Sequence, residues 1–183
     1  MSETRWLDDA EQAVWRSYLD VMRLLNERLQ RQLTEESDLS LAEYDILVHL
    51  SETTSRAMRM SELADKVVNS RSRLTHTVAR LERRGMVVRE ACPDDGRGVN
   101  CRLTEAGFDI LVRAAPGHVE QVRTSVFDPL TADDVAALGA AMVKIRAGLR
   151  GEAEAAGAQD TAGPVNAADA AVPLGARPRI AQA

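Results

Sequence analysis

The segment SRSRLTHTVARLERR, residues 70–84, combines arginines at 71, 73, 80, 83 and 84 with Ser72, Thr75 and His76; Arg97 stands between two glycines in PDDGRG, residues 93–98. Side chains of these types recognise polar surfaces. Arginine donates paired hydrogen bonds to guanine N7 and O6 or to phosphate, and hydroxyls and imidazole adapt to several base edges. At 100° per residue, Leu74, Val78 and Leu81 fall in one narrow sector that must face a core. The opposite sector carries Ser72, His76, Ala79, Arg80 and Arg83, with Arg73 at its edge. A helix of this kind reads bases with its first turns, which assigns Ser72, Arg73 and His76 to base edges. Arg80, Arg83 and Arg84 lie further along and are assigned to phosphates, which position a protein without specifying sequence.

Taken alone, an arginine-rich helix face reads first as a solvated surface. The loop changes that reading. Gly96 and Gly98 free the backbone to project Arg97 from a hairpin tip, with Asp95 close enough in sequence to hold its guanidinium. An arginine presented in this way suits the negative potential of a narrow minor groove.

The elements that must position these residues follow from periodicity and caps. Val14, Tyr18, Met22, Leu25, Leu29 and Leu33 recur at helical spacing, predicting a long amphipathic helix from about Leu7 to Leu33. At 1.5 Å per residue it is about 40 Å long, more than a module of this size covers alone, so part of it is expected to meet a partner chain. Ser40 with Glu43 is a capping-box pattern opening a second helix that ends near Ser51. Ser61 is read as the cap of a short helix stopping around Asn69, and Ser70 as the cap of the helix to Arg84, with Gly85 supplying a left-handed C′ residue. MVVREAC and VNCRL, flanking PDDGRG, read as a β-hairpin, with Cys92 opposite Val99 and Cys101 opposite Glu90. Thr104 caps a further helix expected to be interrupted at Pro116 and Gly117; its continuation ends at Pro129, and Thr131 starts a last helix bearing Val135, Leu138, Met142, Ile145 and Leu149 on one side. The fold class is therefore mainly α with a small β-hairpin wing: a winged helix-turn-helix domain (37–103) between an N-terminal helix (1–36) and C-terminal helices (104–150). Residues 151–183, rich in Ala, Gly and Pro, are expected to form a disordered tail.

Net charge is −5 over 183 residues. Yet Arg59–Leu103 carries ten Lys and Arg against six Asp and Glu, a balance of +4, and the remainder carries −9. One surface is thereby fitted to a polyanion while the rest stays soluble. The charged N-terminus and the lack of a long apolar run predict neither signal peptide nor membrane span, hence a cytoplasmic protein. An enzyme is not expected, for there is no nucleophile elbow and no phosphate loop. No cofactor or metal is expected either, because His49, His76 and His118 lie far apart and Cys92 and Cys101 do not make a zinc set.

In order and spacing, MSELADKV, SRSRLTHTVARLERRGMV, PDDGRG and RLTEAG resemble the third helix, recognition helix, wing and start of the fifth helix of the multiple-antibiotic-resistance regulator (MarR) family; LSLAEYDILVHLSE matches its second helix. The resemblance spans about Leu7 to Leu149. It implies a homodimer formed by both terminal helical regions, binding palindromic double-stranded DNA and repressing nearby genes until a small apolar or aromatic effector releases it. Carried over residue by residue, it makes Ser70, Arg71, Ser72, Arg73, Thr75 and His76 the groove-reading turn and Asp95 and Arg97 the wing-tip pair. Many members carry a second arginine just before the wing-tip one; here that position is Gly96. Trp6, Trp15, Tyr18 and Tyr44 are the aromatics for an effector pocket, or else plain core. The rival reading is a winged helix that binds protein without sequence-specific DNA binding.

Overall fold

The computed structural model describes residues 4–67, 71–92 and 95–149, with the side chains of 71 and 95–97 outside the description. Its elements are α1 (Asp9–Ser37), α2 (Leu41–Glu52), β1 (Ala57–Arg59), α3 (Met60–Lys66), α4 (Arg71–Arg83), β2 (Val87–Cys92), β3 (Asp95–Leu103), α5 (Glu105–Val122), a π-helical turn (Arg123–Phe127) and α6 (Ala132–Leu149). The chain divides into two compact units, one within Met1–Gln121 and one within Val122–Pro173. Among the described residues no helix is long and apolar enough to cross a membrane.

In the first unit, α1 opens with a capping box in which the Asp8 carboxylate accepts from the Glu11 amide at 2.8 Å and Glu11 accepts from the Asp8 amide at 3.0 Å. It runs past Leu33, where the apolar pattern stops, because its end is set by backbone conformation: Asp38 is left-handed at φ 52°, and the Leu39 amide turns back to the Leu33 carbonyl. Only Leu29, Gln32 and Leu33 of α1 are buried, while Val14, Trp15, Tyr18 and Met22 are exposed. The Ser40–Glu43 capping box opens α2 as expected, and Tyr44, Ile46, Leu47 and Leu50 carry α2 into the core.

The sheet has three antiparallel strands in the order β1-β3-β2. Its edge strand β1 is absent from the sequence-based expectation, since three residues show no period and its pairing with Asn100–Arg102 is long-range. This strand also moves the next boundary. α3 starts at Met60 with Arg59 as N-cap residue, so Ser61 lies inside the helix and is not its cap. The core gathers Leu33, Leu39, Leu47, Leu63, Leu74, Val78, Leu81, Val87, Cys101, Leu103 and Leu111.

Pro116 does not interrupt α5, which is continuous from Glu105 to Val122. A proline inside a helix costs roughly 3 kcal/mol of local preference, and here burial of Leu111, Ala114 and Ala115 on the same helix opposes that cost. Gly117 lets α5 approach α1, since a Cβ there would lie 2.1 Å from Glu36 Oε2. Gly107 seats the other end of α5: a Cβ would meet the Met86 carbonyl oxygen at 2.1 Å. In the second unit, Thr131 and Asp134 cap α6 reciprocally, and Val135, Leu138, Met142, Ile145 and Leu149 are all exposed. The expectation of a disordered tail from residue 151 falls outside the described residues.

Two outcomes follow for stability. Gly107→Ala must push the backbone at Met86 and is expected to cost about 1–3 kcal/mol in urea unfolding, a null result contradicting the close approach. His118 is fully buried against Tyr44, their ring centroids 4.4 Å apart, and neither ring nitrogen has a hydrogen-bond partner among the described residues. Burial lowers its pKa from 6.5, so below pH 6.5 the unfolded chain binds a proton that the native one refuses, and stability falls with falling pH. His118→Leu should therefore lose less stability between pH 7.5 and 5.5 than wild type, about those pH values being where the imidazole titrates; equal losses would show that His118 does not contribute.

Candidate nucleic-acid interface

Helices α3 and α4 form the helix-turn-helix, and the wing follows from α4 through one tight turn. The Gly85 amide bonds the Glu82 carbonyl at 2.9 Å and the Met86 amide bonds the Leu81 carbonyl at 3.0 Å, with Gly85 at φ +71°. This is the helix C-terminal motif that needs a left-handed residue. Leu74, Val78 and Leu81 are buried along the inner side of α4, whereas Ser72, Arg73, Thr75, His76, Arg80 and Arg83 are exposed. Arg71 opens the helix, and Ser70 lies outside the described residues.

Arg80 and Arg84, assigned from sequence to phosphates, have protein partners. Arg80 Nε donates to Glu43 Oε1 at 2.7 Å and its Nη2 to Ser40 Oγ at 3.1 Å. Arg84 reaches the same Glu43 oxygen at 3.5 Å and Asp38 Oδ2 at 3.1 Å. The Glu43 side chain is only 3% exposed, against 48% for Arg80. Burial opposes its ionisation, but hydrogen bonds from the Ser40 amide, Arg80 and the Ser40 hydroxyl outweigh this and hold the carboxyl below the usual glutamate range. Sequence reasoning found Glu43 as a capping residue. Its second role depends on an arginine 37 positions away, which no local pattern reveals.

A second clamp joins α4 to the wing. The Arg89 amide and guanidinium donate to both oxygens of Glu82, at 2.9, 2.9 and 2.6 Å. Arg102 pairs with Glu90 on the neighbouring strand. The hairpin register is one residue from the expected one: Cys101 opposes Arg89 and Val99 opposes Ala91. The pairing then jumps to Cys92 opposite Asp95, leaving Gly96, Arg97 and Gly98 unopposed on β3. An irregularity of this kind absorbs residues that a symmetric loop count misses. It puts Arg97 at a bulge flanked by glycines; the Asp95–Arg97 side-chain pairing lies outside the described residues.

A MarR family model matches residues 39–99, which run from the start of α2 into the wing. Sco3205, a MarR family transcriptional regulator from Streptomyces coelicolor solved in complex with DNA, is 46% identical with a TM-score of 0.77, over 81% of this chain and 93% of that one. AbsC, a MarR family regulator of the same organism, is 42% identical with a TM-score of 0.76, over 81% and 99%. The transcriptional regulator PecS of Dickeya dadantii is 29% identical over 128 residues, 69% of this chain and 76% of PecS. The chain belongs to the MarR family. It is a transcriptional regulator and not an enzyme, as its relatives are.

Within this MarR fold the four aromatics singled out in the sequence are not gathered into one pocket. Tyr44 is core, packed on His118, while Trp15 and Tyr18 stack on each other at 5.7 Å on the exposed side of α1, and Trp6 is exposed. Among the described residues no three His, Cys, Asp or Glu side chains gather as a metal site. Both cysteines are buried free thiols, and burial, with Glu82 adding to it, pushes the Cys101 thiol up to about 12. Since the thiolate is the nucleophile, Cys101 should resist a thiol-reactive disulfide reagent in the native protein at mildly alkaline pH and react on denaturation. Rapid native modification at Cys101, located by peptide mapping, would contradict its burial.

Proposed function

We propose that this MarR family member is a sequence-specific DNA-binding repressor of nearby genes, acting in the cytoplasm as a homodimer on a palindromic operator and released by a small apolar or aromatic effector. The observation that carries the reading is the split of α4: Leu74, Val78 and Leu81 inside, and Ser72, Arg73 and His76 outside on its first two turns. Side chains of those types at that end of a helix match base reading in a major groove. Arg97 at the wing bulge is assigned to the adjacent minor groove, and exposed Arg83 to phosphate. The homodimer is supported by exposed apolar residues at both ends of the described chain, Trp6, Val14, Trp15 and Met22 in one unit and Leu138, Met142, Ile145 and Leu149 in the other. Two-fold pairing of such a chain makes a palindromic operator.

The assignments separate by salt and sequence. On the duplex that the protein selects from a random pool, Arg73→Ala and His76→Ala should each cost about 1–3 kcal/mol and relax the preference at one base position. Arg97→Ala should weaken binding on most sequences, as expected of a contact to the negative potential of a narrow minor groove. Equal, sequence-independent losses for all three would overturn the roles. A flat salt response with retained protein binding would favour the interaction-module reading.

A further inference from the structure

Leu74, Val78 and Leu81 bury the inner side of α4 through apolar contacts, which carry no preferred direction of their own. The ion cluster at its other half is directional. Glu43 Oε2 is held by its own helix cap, accepting from the Ser40 amide and the Ser40 hydroxyl at 2.8 Å each, while Oε1 faces Arg80 and Arg84. Arg84 also reaches Asp38, the residue that ends α1. Glu43 thus ties the start of α2 to Arg80 on the last turns of α4 and to Arg84 just beyond it, and Arg84 in turn reaches the end of α1 through Asp38.

We infer that Glu43 is a positioning residue for base reading, and that Arg80 acts through Glu43 instead of through a DNA phosphate. This rests on the DNA-binding reading above. An arginine fork engaged through Nε and Nη2 fixes the rotation of α4 in a way that a point charge cannot. The guanidinium is also already matched by a carboxylate, so replacing it removes little of the counterion release that phosphate contacts produce. The cluster further joins the reading helix to α1, whose outer half is the exposed apolar surface assigned to the partner chain.

The test compares Glu43→Gln, Arg80→Gln, Arg80→Lys and the double Glu43→Gln/Arg80→Gln with wild type. Affinity is measured across a salt series on the duplex wild type selects, and backbone amide exchange is measured in the DNA-free proteins. Each single variant should bind about tenfold more weakly with an unchanged salt slope, and the double no more weakly than the worse single, as for residues acting as one unit. Arg80→Lys should behave as Arg80→Gln, because it keeps the charge and loses the fork. Exchange should quicken in α4 for all four variants. A salt slope reduced by about one in Arg80→Gln but restored in Arg80→Lys would identify a phosphate contact and overturn the inference. So would additive losses in the double variant or unchanged exchange in α4. Should Glu43→Gln fail to fold, the half-exposed Arg80 variants decide alone. Absence of any DNA binding by wild type would defeat the functional reading, while the exchange data would still decide whether the cluster holds α4.

Discussion

Seating α4 is the constraint on which the rest of the structure depends. The helix must sink Leu74, Val78 and Leu81 into a core shared with α2 and the sheet while keeping Ser72, Arg73 and His76 at the surface. Every neighbouring feature serves that division. Gly85 turns the chain sharply enough for Met86 and Val87 to close the core beneath the last turn. The Glu82–Arg89 clamp then fixes β2, and through it the wing, to the same helix. Reading turn and wing are consequently set by one rigid seat, which is what a protein needs if two points of contact must meet a duplex in fixed register.

Charge follows the same division. The chain is acidic overall, yet its central segment is basic, and part of that positive charge is spent internally. Arg80, Arg84, Arg89 and Arg102 are paired with Glu43, Asp38, Glu82 and Glu90. On the proposed reading, the surface offered to a polyanion is narrower than the count of arginines implies and centres on the first half of α4, Arg83 and the wing. Apolar surface is unevenly placed as well. Among the described residues, the exposed large apolar side chains lie mostly on α1 and on α6, with Val88 and Val99 on the wing strands.

What was legible in the sequence was whatever local chemistry decides. The Ser40–Glu43 box, the left-handed Gly85, the Thr131 cap and the inner stripe of α4 each depend on residues within one or two turns of each other, and each stands in the structure as read. What escaped depends on distant partners. β1 exists because β3 pairs with it; α5 runs through Pro116 because its neighbours are buried; the hairpin register slips because a bulge takes up Gly96 to Gly98. The internal pairing of Arg80 and Arg84 is another such long-range feature. Arg80, Arg83 and Arg84 all read as polar helix-surface arginines in the sequence, and only the position of Glu43 shows that Arg80 and Arg84 share a buried carboxylate.

The most direct test of the account is selection of bound duplexes from a random pool by the purified full-length protein, with the recovered sequences aligned for symmetry. The account predicts a two-fold palindromic motif with half-site centres about one helical turn, roughly 10 base pairs, apart. Recovery of no motif by protein that is folded would contradict it.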